Sequence, residues 1–210
     1  MDSIATLPNA ALRSGNAVAD ACIARGLSTF RDACQWVKDL PYASNSGIEN
    51  ALILFEEGCG TCFTKHGAIA RLAAELQLDV HKNLGFYRLT EEIVTGVAEI
   101  LRPFALDFVP ATHCFLEHRA FRVDLTEGNR TGKNKDLDDF DFVVRVGPES
   151  SRDEIERCYS TYFPRYCSIE PRLAALGPTA VRELVQKCHR QAACRCSEAA
   201  APSTLTIGRQ

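Results

Sequence analysis

Between Thr112 and Leu125 two short segments stand back to back, THCFLEH and RAFRVDL, and both alternate apolar with polar residues. Such alternation marks half-buried strands. Strands joined this closely pair as an antiparallel hairpin, because a parallel pair needs a crossover of about a dozen residues or more. Segments of helical period lie before and after the hairpin. The chain is therefore expected to be α+β: helices first, then an antiparallel sheet, then helices.

The flanking segments read as follows. Asn16 to Arg25 suits a short helix closed by Gly26, and Ser28 suits the N-cap of a helix carrying Phe30, Ala33, Cys34 and Val37. YASNSG, after Pro41, is a polar and turn-rich loop. Ile48 to Glu57 predicts a short amphipathic helix stopped by Gly58. A strong helix follows, starting near Thr61 or Cys62, with Ile69, Leu72, Ala73 and Leu76 on one face. DVHKNLGFYRL alternates as a strand, and Thr90 to Leu101 reads as helical up to Pro103. Gly128 to Asp139 is a polar loop and FDFVVRV a further strand. Ser151 and Glu154 form a capping-box signature before Ile155, Cys158, Tyr159 and Tyr162. Pro178 opens a last helix with Val181, Leu184, Val185 and Cys188 inward. One domain over residues 14–196 is expected, with flexible termini at 1–13 and 197–210.

Several function classes drop out. The net charge is −3 and the basic residues are scattered, so no nucleic-acid footprint is expected. No apolar run approaches bilayer length, and no membrane partner is expected. The N-terminus shows neither a basic region nor an apolar stretch, so a cytoplasmic chain is expected. The ten cysteines are then mostly free thiols in a reducing compartment.

One of those thiols stands apart. Gly58 and Gly60 let the backbone turn sharply before Cys62, at a predicted helix start. The positive end of a helix favours thiolate, and an unpaired first-turn N–H suits an oxyanion. His66, one turn further on, could touch the thiol but has no orienting carboxylate in view. His113 opens the first hairpin strand and Asp124 closes the second. A turn centred on His118-Arg119 sets Glu117 opposite Ala120, Leu116 opposite Phe121 and His113 opposite Asp124. Opposed residues lie about 4.5–5.5 Å apart at Cβ, within reach of an imidazole–carboxylate hydrogen bond. Cys62, His113 and Asp124 are thus the candidate nucleophile, base and orienting acid.

GCGTCFTKHGAIARLAAEL, THCFLEH and FRVDLT, taken in order, resemble the transglutaminase-like superfamily of papain-fold cysteine enzymes, as a small bacterial-type member. The resemblance runs from about Trp36 to Thr126 and rests on Gly60-Thr61-Cys62, His113 and Asp124-Leu125-Thr126. It implies that the Cys helix packs on an antiparallel sheet, and that Cys62, His113 and Asp124 are the catalytic residues. Phe63 and Cys114-Phe115 stand where many members carry other aromatics, and Asp-Leu-Thr replaces Asp-Pro-Thr. By analogy alone, Gln35 or Trp36 is a candidate second oxyanion donor, against ordinary packing or a surface position.

The function this implies is acyl transfer through a thioester at Cys62. The donor is an amide or thioester, on a small molecule, a peptide or a carrier. The acceptor is an amine or water, and no cofactor and no metal are called for. Two other classes compete. Cys59-x-x-Cys62 has the local form of a thiol–disulfide pair, and a disulfide there would mask Cys62. A non-catalytic binding protein on the same fold is the other. Cys59, Cys62 and His66 could supply three zinc ligands, and Cys188, His189, Cys194 and Cys196 form a second cluster, for which a helix with incidental cysteines is the better reading.

Overall fold

The computed structural model describes residues 3–127, 133–134, 139–149 and 151–198. Most of the loop expected from Gly128 to Asp139, and nearly all of the tail expected from 197 to 210, lie outside them. The hairpin forms from β2 (Val109–His118) and β3 (Phe121–Val123). β1 (His81–Leu89) pairs antiparallel with β2 along its length, from His81–Glu117 to Leu89–Val109. β4 (Phe142–Val146) pairs antiparallel with the other edge of β1. The sheet is four-stranded, in the order β3-β2-β1-β4.

Two expectations change. The hairpin turn is Arg119-Ala120, with Arg119 in the left-handed region at φ 56°. Leu116 therefore faces Val123, and Glu117 faces Arg122. The register is two residues from the one expected, so every side chain keeps its face. Asp124 ends up diagonal to His113 rather than opposite it. β1 does not alternate either. Lys82, Asn83, Leu84, Phe86 and Tyr87 are all buried, because β1 is a central strand packed on both faces. Its polar residues are satisfied: Lys82 Nζ donates to Glu149 O at 2.8 Å, and Asn83 Nδ2 to Glu117 Oε2 at 3.3 Å.

The helices are α1 (Ala17–Ile23), α2 (Phe30–Asp39), α3 (Ile53–Glu57), α4 (Cys62–Glu75), α5 (Val97–Leu101), α6 (Arg152–Ile169) and α7 (Arg172–Glu198). Thr29, one residue beyond Ser28, caps α2 and exchanges hydrogen bonds with Asp32. α3 and α5 are shorter than expected, each preceded by turns. Gly177, at φ 76° and ψ 163°, interrupts α7 so that Pro178 opens its second half. Among the described residues no helix is long and apolar enough to cross a membrane.

The segment expected to be a loose N-terminus is anchored. Ile4 and Leu7 are buried, and Leu12 N and Phe30 N donate to Ser28 O and Ala10 O at 2.9 and 2.8 Å. Nothing local in the sequence announces that backbone pairing.

Two apolar cores fill the molecule. One gathers α1, α2 and most of α4 around Leu116, Val123 and Leu125. The other gathers α5, α6 and α7 against β1 and β2, and includes Cys62. Helix α4 thus begins in one core and runs through the other, and its first residue lies at the seam.

Candidate active site

The approach to α4 is built by steric necessity. Gly58 ends α3 at φ 66°, a conformation that favours glycine. Gly60 is required for space: a Cβ there would run into Leu54 and lie 2.7 Å from Thr64 Oγ1. Its backbone is tied to Pro41 and the start of the YASNSG stretch. Gly60 N donates to Pro41 O at 3.1 Å, and Ala43 N to Gly60 O at 3.3 Å. Asn45 completes the clamp, donating to Cys59 O at 2.9 Å and accepting from Thr64 Oγ1 at 2.7 Å. Lys65, fully buried, donates to Lys38 O and Leu40 O at 3.1 and 2.6 Å, tying α4 to the end of α2. Burial draws its pKa down to about 8.

Cys62 is the first residue of α4 and is buried. His113, on β2, is buried beside it. His113 Nε2 lies 2.7 Å from Asp124 Oδ2. A carboxylate only accepts, so Nε2 carries the proton and Nδ1 is left to face the thiol. Asp124 is held in turn by Thr126, whose N–H and Oγ1–H donate to Oδ1 at 2.8 and 2.7 Å. The Thr of Asp-Leu-Thr is therefore the group that aims the carboxylate.

The charges support one another. Burial opposes a thiolate at Cys62, but His113, then Lys133 and the Cys114 backbone N–H, outweigh it and bring the thiol pKa to about 7. Burial and Lys133 oppose a proton on His113, yet the charges of Cys62 and Asp124 outweigh them and raise its pKa. The pair is thus poised as thiolate and imidazolium. Despite burial, His113 holds Asp124 far below the usual carboxylate range.

His66 has a role that spacing alone did not reveal. Its Nδ1 lies 2.7 Å from Cys62 O, and its Nε2 accepts from Leu125 N at 2.8 Å. A carbonyl accepts and an amide N–H donates, so the ring is neutral with its proton on Nδ1. Burial lowers its pKa in agreement. His66 is a spacer between the first turn of α4 and the strand end that carries Asp124.

Tyr42 and Lys133 join the site without having been singled out in the sequence. The Tyr42–Gly60 bridge sets Tyr42 beside Cys62, with its hydroxyl within reach of both the thiol and the Cys62 N–H. Lys133 Nζ lies 3.3 Å from His113 Nδ1. Neither has a local signal, since each arrives from a distant segment. Gln35 and Trp36 are not at the site. Gln35 bonds Asp39 Oδ1 at 2.8 Å, and Trp36 stacks on Phe55 at 5.0 Å beneath Arg25. Gln35 is an exposed surface residue, and Trp36 is half-buried in that stack.

The site opens into a cleft of about 490 Å³ between β2 and helices α6 and α7, lined among others by Tyr87, Ile155, Tyr159 and His189. Tyr159 donates to Pro110 O at 3.1 Å and fixes one wall.

The competing chemistries meet a different geometry. Cys59 and Cys62 are both free thiols, and the chain enters α4 from a helix beside an antiparallel sheet rather than from a parallel strand. Both ring nitrogens of His66 are engaged by backbone, which removes it from any ligand set with the two cysteines. Among the described residues no group of three or more His, Cys, Asp or Glu is placed to hold a metal ion. Cys188 is buried in the core and His189 lines the cleft, while the side chains of Cys194 and Cys196 lie outside the described residues. Compared with family models, curated proteins and solved structures, the chain matches none of them.

Proposed function

We propose that the protein is a transglutaminase-like, papain-fold cysteine enzyme that transfers acyl groups through a thioester at Cys62. One observation carries the reading. His113 has both partners that a proton shuttle needs, the Asp124 carboxylate 2.7 Å from its Nε2 and the Cys62 thiol within hydrogen-bonding reach of the ring. Such a set moves a proton between imidazole and sulfur while the carboxylate fixes the tautomer.

The Cys62 thiolate attacks the carbonyl of an amide or thioester. The developing oxyanion is received by the Cys62 N–H and the Tyr42 hydroxyl, which swings from sulfur to oxygen. Imidazolium His113 gives its proton to the departing amine or thiol as the tetrahedral centre collapses to the acyl-enzyme. An amine or water then attacks, His113 takes its proton, and Cys62 is released. The cleft walls, including Tyr87 and Tyr159, offer apolar surface to the acyl chain.

A small activated ester, p-nitrophenyl acetate, tests this without knowledge of the natural donor. Brief incubation is expected to leave an acetyl group on Cys62 that hydroxylamine removes, as it removes thioesters, and His113→Ala is expected to lose it. Acetylation spread over several cysteines, equal in wild type and His113→Ala, would defeat the reading.

A further inference from the structure

The amine position of the site is already occupied by the chain itself. After acylation of Cys62, the nitrogen that does the remaining work is His113 Nδ1, because Nε2 is committed to Asp124 at 2.7 Å. Whatever attacks the thioester must present its N–H or O–H to Nδ1 within hydrogen-bonding distance. Lys133 Nζ stands there, at 3.3 Å. It lines the same cleft as Cys62 and His113.

The placement is anchored. Asn134 N donates to Ile93 O at 2.7 Å, and Asn134 Nδ2 donates to Glu92 O at 3.2 Å. Asn134 and Thr95 are joined side chain to side chain, with Asn134 Nδ2 3.0 Å from Thr95 Oγ1. These contacts fix the backbone next to Lys133 to the turn between β1 and α5. The lysine is directed at the imidazole from a held position.

We propose that Lys133 is an internal acyl acceptor, taking the acyl group from Cys62 to form an amide on its own Nε. The inference rests on the acyl-transfer reading above. In the step, the lone pair of neutral Lys133 Nζ attacks the thioester carbonyl. The C–N bond forms and the C–S bond breaks. The amine proton passes to His113 Nδ1 and then to the sulfur of Cys62, so thioester and amine become amide and thiol with nothing else consumed. The juxtaposition replaces a bimolecular aminolysis by an intramolecular one, for which oriented groups gain heavily. The acylated side chain would lie in the cleft, blocking the site or handing it a modified wall.

The experiment uses the full chain and p-nitrophenyl acetate, with peptide mapping before and after hydroxylamine. Label is expected first on Cys62, sensitive to hydroxylamine, and later on Lys133, resistant to it. Lys133 is expected to acetylate at least about tenfold faster than the other lysines, given its position, and to lose that advantage in Cys62→Ala. In Lys133→Arg the label is expected to remain on Cys62. A thioester on Cys62 that is never followed by amide on Lys133 would overturn the internal acceptor and leave the acyl-transfer reading standing. Equal acetylation of Lys133 in wild type and Cys62→Ala would overturn it too, as direct chemical acetylation. If no thioester forms on Cys62, the acyl-transfer reading fails and the inference fails with it.

Discussion

Replacing His113 with alanine tests the electrostatics of the site at its centre. The Cys62 thiol is held at about 7 although burial pushes the other way, and His113 is the largest of the opposing influences. An ordinary cysteine titrates near 8.5. Loss of His113 removes the largest of the lowering influences while burial, which raises the pKa, remains. The midpoint of iodoacetamide alkylation against pH is therefore expected to move from about 7 to about 8.5 or above. At pH 7 the thiolate fraction falls from about one half to about 3%. A more basic thiolate is the stronger nucleophile, so at a midpoint of about 8.5 the rate falls less, by roughly threefold to fourfold. The midpoint is the quantity to read, by mapping labelled Cys62 against the other cysteines across pH. Lys133 stays in His113→Ala, so a residual shift from its charge is expected. A midpoint unchanged in a folded His113→Ala protein would refute the coupling of His113 to the thiol.

Other perturbations probe the surrounding parts. Asp124→Asn is expected to lower turnover of p-nitrophenyl acetate by about 10²- to 10⁴-fold, since an amide can hold the wrong tautomer of His113. Tyr42→Phe is expected to lower turnover about 10²-fold or more while Cys62 still alkylates rapidly, because alkylation forms no oxyanion; equal losses in both assays would remove Tyr42 from that role. Gly60→Ala is expected to cost about 1–3 kcal/mol in urea unfolding, as its Cβ would overlap Leu54. His66→Leu leaves Leu125 N–H without its acceptor and is expected to cost about 1–3 kcal/mol at pH 7.5. The His66 pKa is depressed in the folded protein, so its contribution is full above the unfolded value near 6.5 and declines as pH falls below it, by up to about 1.4 kcal/mol per unit. Unfolding at pH 7.5 and pH 5 is expected to differ less in His66→Leu than in wild type; an unchanged difference would mean that His66 does not carry it.

What the sequence makes legible is local. The helix start at Cys62, the strand that brings His113 and the strand end at Asp124 each follow from a few neighbouring residues. Their contact survived an error in register because a slip of two residues preserves the faces, and because the turn at Arg119 left Asp124 one residue past the strand, within reach. Tyr42 was invisible since a single backbone bridge to Gly60 places it. Lys133 falls in the polar loop expected from Gly128 to Asp139, and it is the anchoring of Asn134 to Ile93 and Glu92 that brings it to the site. His66 looked like a reactive neighbour of Cys62. Its two backbone bonds, one to its own helix and one across to Leu125, are tertiary facts.

Because α4 starts in one apolar core and passes into the other, Cys62 reports on the fit between two bodies rather than on the soundness of either. The cleft walls of α6 and α7 belong with one body, and the clamp around Gly60 with the other. Small relative motions of the two would leave each interior intact while changing the distance from thiol to imidazole. Loss of activity on warming is then expected to precede the main melting transition, a gap between working and folded states that two-core architecture brings with it.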